Sequence, residues 1–262
     1  MSDRSPSPAA SSDPIVRDED GEVSLRFDDA SVQSRMRRAD PAHLVLEYTR
    51  LMMGCVLFQP TPVRLAMIGL GGGSLARYCG LHLPAADVTV VEISPAVIAL
   101  RDAFGIAPDG PRFRVLCEDG AAFVRRDGEP LDVLLVDGFD CTGQPAQLCS
   151  AAFYDACRAR LAAGGVLVVN LHSDEPDCDT CLERIGDAFA GRMRAVTADG
   201  SANTVVFASP DAAFPPPFRQ LVDRLRALQA AHPIDLDATV RKLLQAVPPH
   251  GRRARRRSRR QS

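Results

Sequence analysis

Short apolar-rich runs alternate along the chain with segments in which apolar residues recur every three or four positions. The runs predict buried strands, and the periodic segments predict helices. Buried strands that alternate with helices are typical of a parallel sheet covered on both faces. The pattern therefore predicts an α/β fold with a mostly parallel, doubly wound, Rossmann-like sheet. Strands are predicted over 64–68, 87–93, 112–117, 131–136 and 166–170, and helices over 42–58, 74–82, 95–104, 119–126, 150–161 and 181–190.

The sequence on either side of these elements differs from them in composition. Ser, Pro, Ala and Asp dominate residues 1–20 and Arg dominates residues 251–262, so a disordered lead and a disordered tail are predicted. A strand-and-helix segment, 21–60, precedes the Rossmann-like core, 61–210. Two amphipathic helices are predicted over 211–250. The core is expected to end in a late edge strand, which covers residues 203–208.

The composition excludes several classes of protein. None of the apolar runs approaches the ~18 residues of a membrane-spanning helix, and the N-terminus lacks the apolar stretch of a secretory signal. The formal net charge of −2 combines an Arg-rich tail with an acidic remainder. This distribution argues against a dedicated nucleic-acid-binding domain, apart from weak contacts of the tail with phosphates. We expect a cytoplasmic protein without membrane contacts.

Eight cysteines are present in the chain. Without a secretion signal, we expect reduced thiols rather than a disulfide framework. Cys178 and Cys181 form a single CxxC pair, with no second pair at the spacing of a zinc finger. The sequence therefore predicts no metal site.

Glycines or acidic residues follow four successive predicted strands. The carboxyl ends of parallel strands share one edge of a sheet, where ligands of such folds bind. There a glycine loop lets a ligand approach the backbone, Glu92 can accept from both hydroxyls of a ribose, and Asp119 from an adenine amine. Each acid alone also suits a helix N-cap or a solvated loop, but together they predict a nucleoside pocket in a methyltransferase-type fold. The residues are Gly69, Gly71, Gly72, Gly73, Glu92, Asp119, Gly120, Asp137 and Asp140.

These residues lie in longer segments that match a family pattern. The stretch Glu118-Asp-Gly120, the run from Leu131 to Asp137 and the glycine loop through Glu92 resemble the spermidine synthases, the polyamine aminopropyltransferase family. The resemblance covers roughly residues 21–208. It implies an enzyme that transfers an aminopropyl group from decarboxylated S-adenosylmethionine to a small amine. It also implies that the enzyme is a homodimer. It also implies adenosine binding by Gly69, Gly71, Glu92 and Asp119, catalysis by Asp137, and acceptor contacts from Asp140, Gln33 and Tyr48.

Departures from the family pattern on the donor side and on the acceptor side leave the reaction open. The family's glycine loop carries an Asp that holds the ammonium group of the donor, and Gly72 stands at that position here. On the acceptor side, Cys141 replaces a Pro and the N-terminal strand region is abbreviated. Three hypotheses follow: an aminopropyltransferase with an altered acceptor, a methyltransferase that uses S-adenosylmethionine on the same fold, and a nucleoside-binding protein without catalysis.

Overall fold

The computed structural model describes residues 13–27, 32–140 and 143–246. A three-stranded antiparallel sheet precedes a seven-stranded sheet that has helices on both faces. The strands are β1 (Ile15–Glu19), β2 (Glu22–Arg26), β3 (Val32–Arg37), β4 (Arg64–Ile68), β5 (Asp87–Glu92), β6 (Phe113–Cys117), β7 (Leu131–Val136), β8 (Leu161–His172), β9 (Met193–Thr197) and β10 (Asn203–Ala208). The α-helices are α1 (Glu47–Met52), α2 (Ser74–His82), α3 (Pro95–Ile98), α4 (Gly120–Arg125), α5 (Ala151–Arg160), α6 (Cys178–Ala188), α7 (Phe218–Leu228) and α8 (Leu236–Gln245). Met53–Leu57 and Ala146–Cys149 are short 3₁₀ helices.

The larger sheet has the strand order β6-β5-β4-β7-β8-β10-β9. Its first five strands are parallel, whereas β10 runs antiparallel to both β8 and β9. The chain passes from β4 outward to β5 and β6, then crosses to β7 on the other side of β4. The strand order therefore reverses between β4 and β7, which is where ligands bind in open α/β sheets. The predicted Rossmann-like, mostly parallel fold is confirmed.

Alternate residues of β8 show how the sheet divides the core. Val166 and Val168 pack with residues of α1, α2, α7 and α8 on one face, and Leu167 and Val169 pack with α5 and α6 on the other. Asn170 continues the first face as a polar residue that is only 2% exposed. Burial of an amide requires hydrogen-bond partners, so this position marks a polar site within an aliphatic face.

Several elements differ from the sequence prediction, and α3 covers only Pro95–Ile98 of the helix predicted over 95–104. The strand over 203–208 is β10, but it lies inside the sheet, because β9 pairs with its outer side and forms the edge. The helix predicted over 42–58 is shorter, since α1 begins at Glu47 and a 3₁₀ helix follows it. Within the predicted disordered lead, Ile15–Glu19 forms β1 and pairs with β2, so that prediction is wrong for these residues.

The structure also corrects the prediction of reduced thiols for two cysteines. Cys149 and Cys181 are joined in a disulfide, with their Cα atoms 5.4 Å apart. The CxxC cysteines therefore do not pair with each other, and Cys178 is buried and lies outside the disulfide. The bond fixes the N-terminal part of α6 to the 3₁₀ helix that precedes α5.

Some sequence predictions fall outside the described residues. Residues 1–12 of the predicted lead and the Arg-rich tail, 251–262, are among them, as is Cys141. Within the described ranges, no helix is long and apolar enough to cross a membrane. The same ranges contain no cluster of three or more His, Cys, Asp or Glu that could hold a metal ion.

Candidate active site

A cavity of about 420 Å³ opens where the strand order reverses. Its walls come from the ends of β4, β5, β7 and β8, from α1, and from β2 and β3 of the small sheet. The small sheet thus covers a site that the large sheet creates. Of the residues predicted from the sequence, those that line the cavity are Gln33, Tyr48, Gly69, Gly71, Glu92, Asp137 and Asp140.

The glycine loop begins with a close backbone approach. Gly69 has a φ of +95°, and a Cβ there would lie 2.2 Å from the carbonyl oxygen of Asp137. Only glycine tolerates both conditions, and the contact draws the end of β7 against the end of β4. Gly71 and Gly73 also have positive φ values, and Gly73 serves as the N-cap of α2. The loop therefore requires glycine for its shape as well as for any ligand.

Gly72 differs from its neighbours, because its backbone would accept a side chain but its surroundings would not. A Cβ at this position would lie 2.6 Å from Ser34 Oγ and 2.9 Å from both Ser34 Cβ and a ring carbon of Phe104. Ser34 Oγ lies 3.3 Å from Ser74 Oγ, so the serine is itself held at the loop. The space beside Gly72 is filled by β3 of the small sheet.

Glu92 closes β5 with both carboxylate oxygens engaged. Leu70 N–H donates to one oxygen and Ser94 N–H to the other, each at 2.9 Å. The side chain is 8% exposed and lines the cavity. Each carboxylate oxygen has a further lone pair, so the carboxylate is oriented by the backbone and can still accept hydrogen bonds from a ligand. The exposed side chain of Ile93, next in sequence, offers an apolar surface outside β5.

Asp119 has the N-cap role that the sequence left as an alternative. Its Oδ1 accepts from Ala122 N at 2.7 Å at the start of α4, and its Oδ2 accepts from Gln147 Nε2 at 2.8 Å. Neither Asp119 nor Gly120 is among the described residues that line the cavity. Gly120 instead permits close packing, since a Cβ there would lie 2.4 Å from Ile68 Cγ2. Adenine recognition by Asp119 stays a prediction.

Asp137 follows β7 and lies at the centre of a hydrogen-bond network. Asn170 Nδ2 donates to its Oδ1 at 2.8 Å, and Tyr48 Oη donates to its Oδ2 at 3.2 Å. Burial raises the pKa of the carboxyl group, and the two donors oppose that rise. Burial and the nearby carboxylate also raise the pKa of Tyr48 well above its usual value. A partly buried carboxylate held in this way is suited to take up a proton.

The loop after Asp137 completes the far wall. Asp140 and Gly143 exchange backbone hydrogen bonds, and both line the cavity. Glu175 supports this loop, since its Oε2 accepts from Gln144 N at 3.0 Å. Gln33 lines the cavity from β3. The three predicted acceptor residues therefore line the same cavity as Asp137, and Tyr48 contacts it directly.

The sequence analysis missed several polar residues of this site, and four of them come from one region of the fold. They lie near the end of β8, in the loop after it, and at the start of β10: Asn170, His172, Glu175 and Asn203. The polar residue in an otherwise apolar β8 was a usable signal for Asn170. Asn203 carried no such signal, because it reaches the site through antiparallel pairing across β8 and β10.

The charges that line the cavity have one sign. Four of its described residues are acidic: Glu92, Asp137, Asp140 and Glu175. None of the arginines, nor the single lysine, belongs to the lining within the described ranges. Acidic walls with little exposure to solvent favour a cationic ligand. The cavity thus holds Glu92, which is suited to bind a nucleoside, and a partly buried carboxylate, Asp137, which is suited to accept a proton.

Comparisons with known proteins agree with this class of site. A model of the spermine/spermidine synthase domain matches residues 45–182. The polyamine aminopropyltransferase of Neisseria meningitidis is 34% identical over 253 residues, which cover 94% of this chain and 95% of the relative. The chain therefore belongs to the spermine/spermidine synthase family.

Solved structures show the same fold. A probable spermidine synthase from Corynebacterium glutamicum superposes with a TM-score of 0.63 at 20% identity, over 87% of this chain and 84% of that one. Human methyltransferase-like protein 13, in a complex with SAH, gives a TM-score of 0.60 at 21% identity. The superposed region covers 75% of this chain and 93% of the human protein's chain. At this level of identity the two structures establish the class I methyltransferase fold, which is common to both families.

Proposed function

We propose that this protein transfers an aminopropyl group from decarboxylated S-adenosylmethionine to a small amine. Family membership gives the reaction class. One observation carries the proposal: a partly buried carboxylate, Asp137, receives hydrogen bonds from Tyr48 and Asn170 in the same acidic cavity that Glu92 lines. A site that only bound a nucleoside would gain nothing from a second, partly desolvated carboxylate, which costs free energy to bury.

The donor would bind across the ends of β4 and β5. Glu92, oriented by two backbone N–H groups, would accept from the ribose hydroxyls. The glycine loop would allow close approach of the sulfonium, and Ile93 would pack against the adenine. The predicted contact of Asp119 with adenine remains part of the proposal.

The acceptor would bind at the Asp137 end. An alkylamine has a pKa of about 10 and arrives as an ammonium ion, which the acidic walls attract. Asp137 takes one proton from it, and the free amine nitrogen attacks the methylene carbon attached to the sulfonium. A carbon–nitrogen bond forms, the carbon–sulfur bond breaks, and methylthioadenosine leaves as a neutral thioether. The protein contributes mainly orientation, which can be worth ~7 kcal/mol or more. Asp140 and Gln33 would hold the remainder of the acceptor.

The space around Gly72 supports a second candidate, methyl transfer from S-adenosylmethionine. Without a carboxylate in the glycine loop, nothing at that position repels the carboxylate of S-adenosylmethionine. Ser34 presents a hydroxyl group there instead. A homodimeric assembly and a cytoplasmic location are further parts of the proposal, and both rest on family membership.

The nucleoside product distinguishes the candidates. Purified protein is offered S-adenosylmethionine and its decarboxylated form with a panel of diamines and polyamines, and the products are identified by mass spectrometry. Release of methylthioadenosine that depends on the amine supports the proposal. Formation of S-adenosylhomocysteine alone supports methyl transfer, and no product with either donor supports a non-catalytic binder.

Asp137→Asn provides the matched control for the catalytic assignment. The substitution keeps the shape of the side chain but removes the charge and the proton acceptor. Turnover is expected to collapse while affinity for methylthioadenosine changes little. Turnover of this variant at the wild-type rate would show that Asp137 is not the catalytic base.

A further inference from the structure

A second amide stands behind the one that contacts Asp137. Asn170 Nδ2 donates to Asp137 Oδ1 at 2.8 Å, and Asn203 Nδ2 donates to Asn170 Oδ1 at 3.1 Å. The pairing of β8 with β10 sets this arrangement, because Asn203 is opposite His172 and Val205 is opposite Asn170. Asn170 and Asn203 are therefore diagonal neighbours on one face of the sheet, close enough for side chains to interact.

This chain of donors determines which end of the Asn170 amide faces the carboxylate. An amide has an accepting oxygen and a donating nitrogen. While Asn203 donates to the oxygen of Asn170, only the nitrogen of Asn170 is directed at Asp137. A donor stabilises an ionised carboxylate, whereas an amide oxygen in its place would favour the protonated form. Asn170 is 2% exposed, so water does not readily replace a lost partner.

We infer that Asn203 is a positioning residue for the reaction: by donating to Asn170, it keeps the Asn170 amide directed at Asp137 and so keeps that carboxylate ionised and oriented. Asn203 acts through Asn170 and not through the substrate. The kinetic consequence rests on the proposed function, whereas the effect on the charge state of Asp137 does not. Asn203 and Asn170 form an amide relay to Asp137. Both asparagines lie outside the glycine loop, and the sequence pattern indicated neither of them.

Other charged and titratable groups face Asp137 and must stay unchanged in the test. Tyr48 comes from α1 and donates directly to the carboxylate. The remaining groups line the cavity from β5, from the loop after β7, from β8 and from the loop after it: Glu92, Asp140, His172 and Glu175. Substitution of Asn203 removes no ionisable group, so the number of these charged and titratable groups is the same in the variant as in the wild type.

The experiment measures the pKa of Asp137 directly and through turnover. Protein labelled with ¹³C at the Asp carboxyl carbons is titrated by NMR, and the Asp137 signal is assigned from its absence in Asp137→Asn. In Asn203→Leu we expect an upward shift of about 0.5–1 pH unit, roughly a three- to tenfold change in the proton affinity. The acidic limb of the kcat profile, measured with both substrates saturating, should move by the same amount.

If Asn203 had only a structural role, Asn203→Leu would lower kcat at every pH. If Asn203 acts through the amide relay, kcat of the variant recovers once the pH is above the shifted acidic limb of its profile. Asn203→Gln, which retains an amide donor, should restore much of the wild-type profile. Thr204→Val is the matched control, because Thr204 is the next residue in β10 and faces the opposite side of the sheet. If Asn203→Leu does not fold, Asn203→Ala removes the same donor at a partly exposed position.

The two proposals fail in different ways. If the wild type turns over no amine but the NMR pKa still shifts in Asn203→Leu, the proposed function is wrong and the positioning inference stands. If the wild type is active and the pKa and pH profile of Asn203→Leu coincide with those of the wild type, the positioning inference is overturned.

Discussion

The contact between Gly72 and Ser34 leads to a prediction about the choice of donor. Gly72→Asp alone should be poorly tolerated, because a Cβ would lie 2.6 Å from Ser34 Oγ and 2.9 Å from Ser34 Cβ. In the double variant with Ser34→Gly, both contacts disappear, and only the edge of the Phe104 ring must move. The new carboxylate would then be placed in the glycine loop, where it can pair with the ammonium group of the donor.

The magnitude follows from the strength of such a pair. A hydrogen bond between charged groups contributes about 1.5–3 kcal/mol, and 1.36 kcal/mol corresponds to a factor of ten. The preference for decarboxylated S-adenosylmethionine over S-adenosylmethionine, expressed as a ratio of kcat/KM values, should therefore rise by about one to two powers of ten. Repulsion of the carboxylate in the undecarboxylated donor acts in the same direction.

Two variants separate charge from shape. Gly72→Asn in the Ser34→Gly background has nearly the same size without the charge and should leave the ratio close to that of the wild type. Ser34→Gly alone tests the loss of the hydroxyl group. If the Gly72→Asp double variant melts within a few degrees of the wild type and discriminates no better, the glycine loop does not meet the donor's ammonium group and the reasoning is refuted.

Three further predictions concern single groups. Glu92→Ala should weaken calorimetric affinity for methylthioadenosine at least tenfold, since charge-assisted hydrogen bonds are lost; unchanged affinity in a folded variant contradicts the ribose assignment. Because the pKa of Asp137 is raised in the folded protein, its ionised form lowers stability at neutral pH. Asp137→Asn should therefore have a higher melting temperature than the wild type at pH 7, and this difference should disappear as the pH falls through the raised pKa. A difference that does not depend on pH would exclude this cause. The disulfide between Cys149 and Cys181 spans 32 positions, which corresponds to about 3–4 kcal/mol of stabilisation, so a thiol reductant should lower the melting temperature by about 10 °C in the wild type and leave Cys149→Ser unaffected.

The sequence was sufficient to predict the parts of the site that depend on local pattern. Glu92 is the last residue of β5 and Asp137 follows β7, and parallel strands bring their carboxyl ends to one edge of the sheet. Gly69 was predictable for a related reason, because a tight turn after a strand needs glycine. The fold and one end of the cavity follow from these features alone.

The remainder depends on contacts between distant segments. Asn203 is positioned by the register of β10 on β8, and Ser34 is positioned by the docking of the small sheet on the glycine loop. Neither residue has a spacing or a neighbour in sequence that indicates its role. For Asp119 the local pattern is present but ambiguous. An acid between a strand and a helix accepts a hydrogen bond from the first turn of the helix whether or not a ligand binds.

The acidic residues of the cavity lower the stability of the empty protein, and the same residues attract its cationic substrates. Carboxylates that line a partly buried space without an arginine or lysine among the described lining raise the free energy of the empty protein. A sulfonium donor and an ammonium acceptor bring the compensating positive charges only when both are bound, and the reaction then removes one of them, because methylthioadenosine is neutral. The attraction is thus strongest before transfer and weakest for the departing nucleoside. An acidic site that receives its cations from its substrates therefore favours release of this product, and Asn170 and Tyr48 keep the central carboxylate charged for the next acceptor.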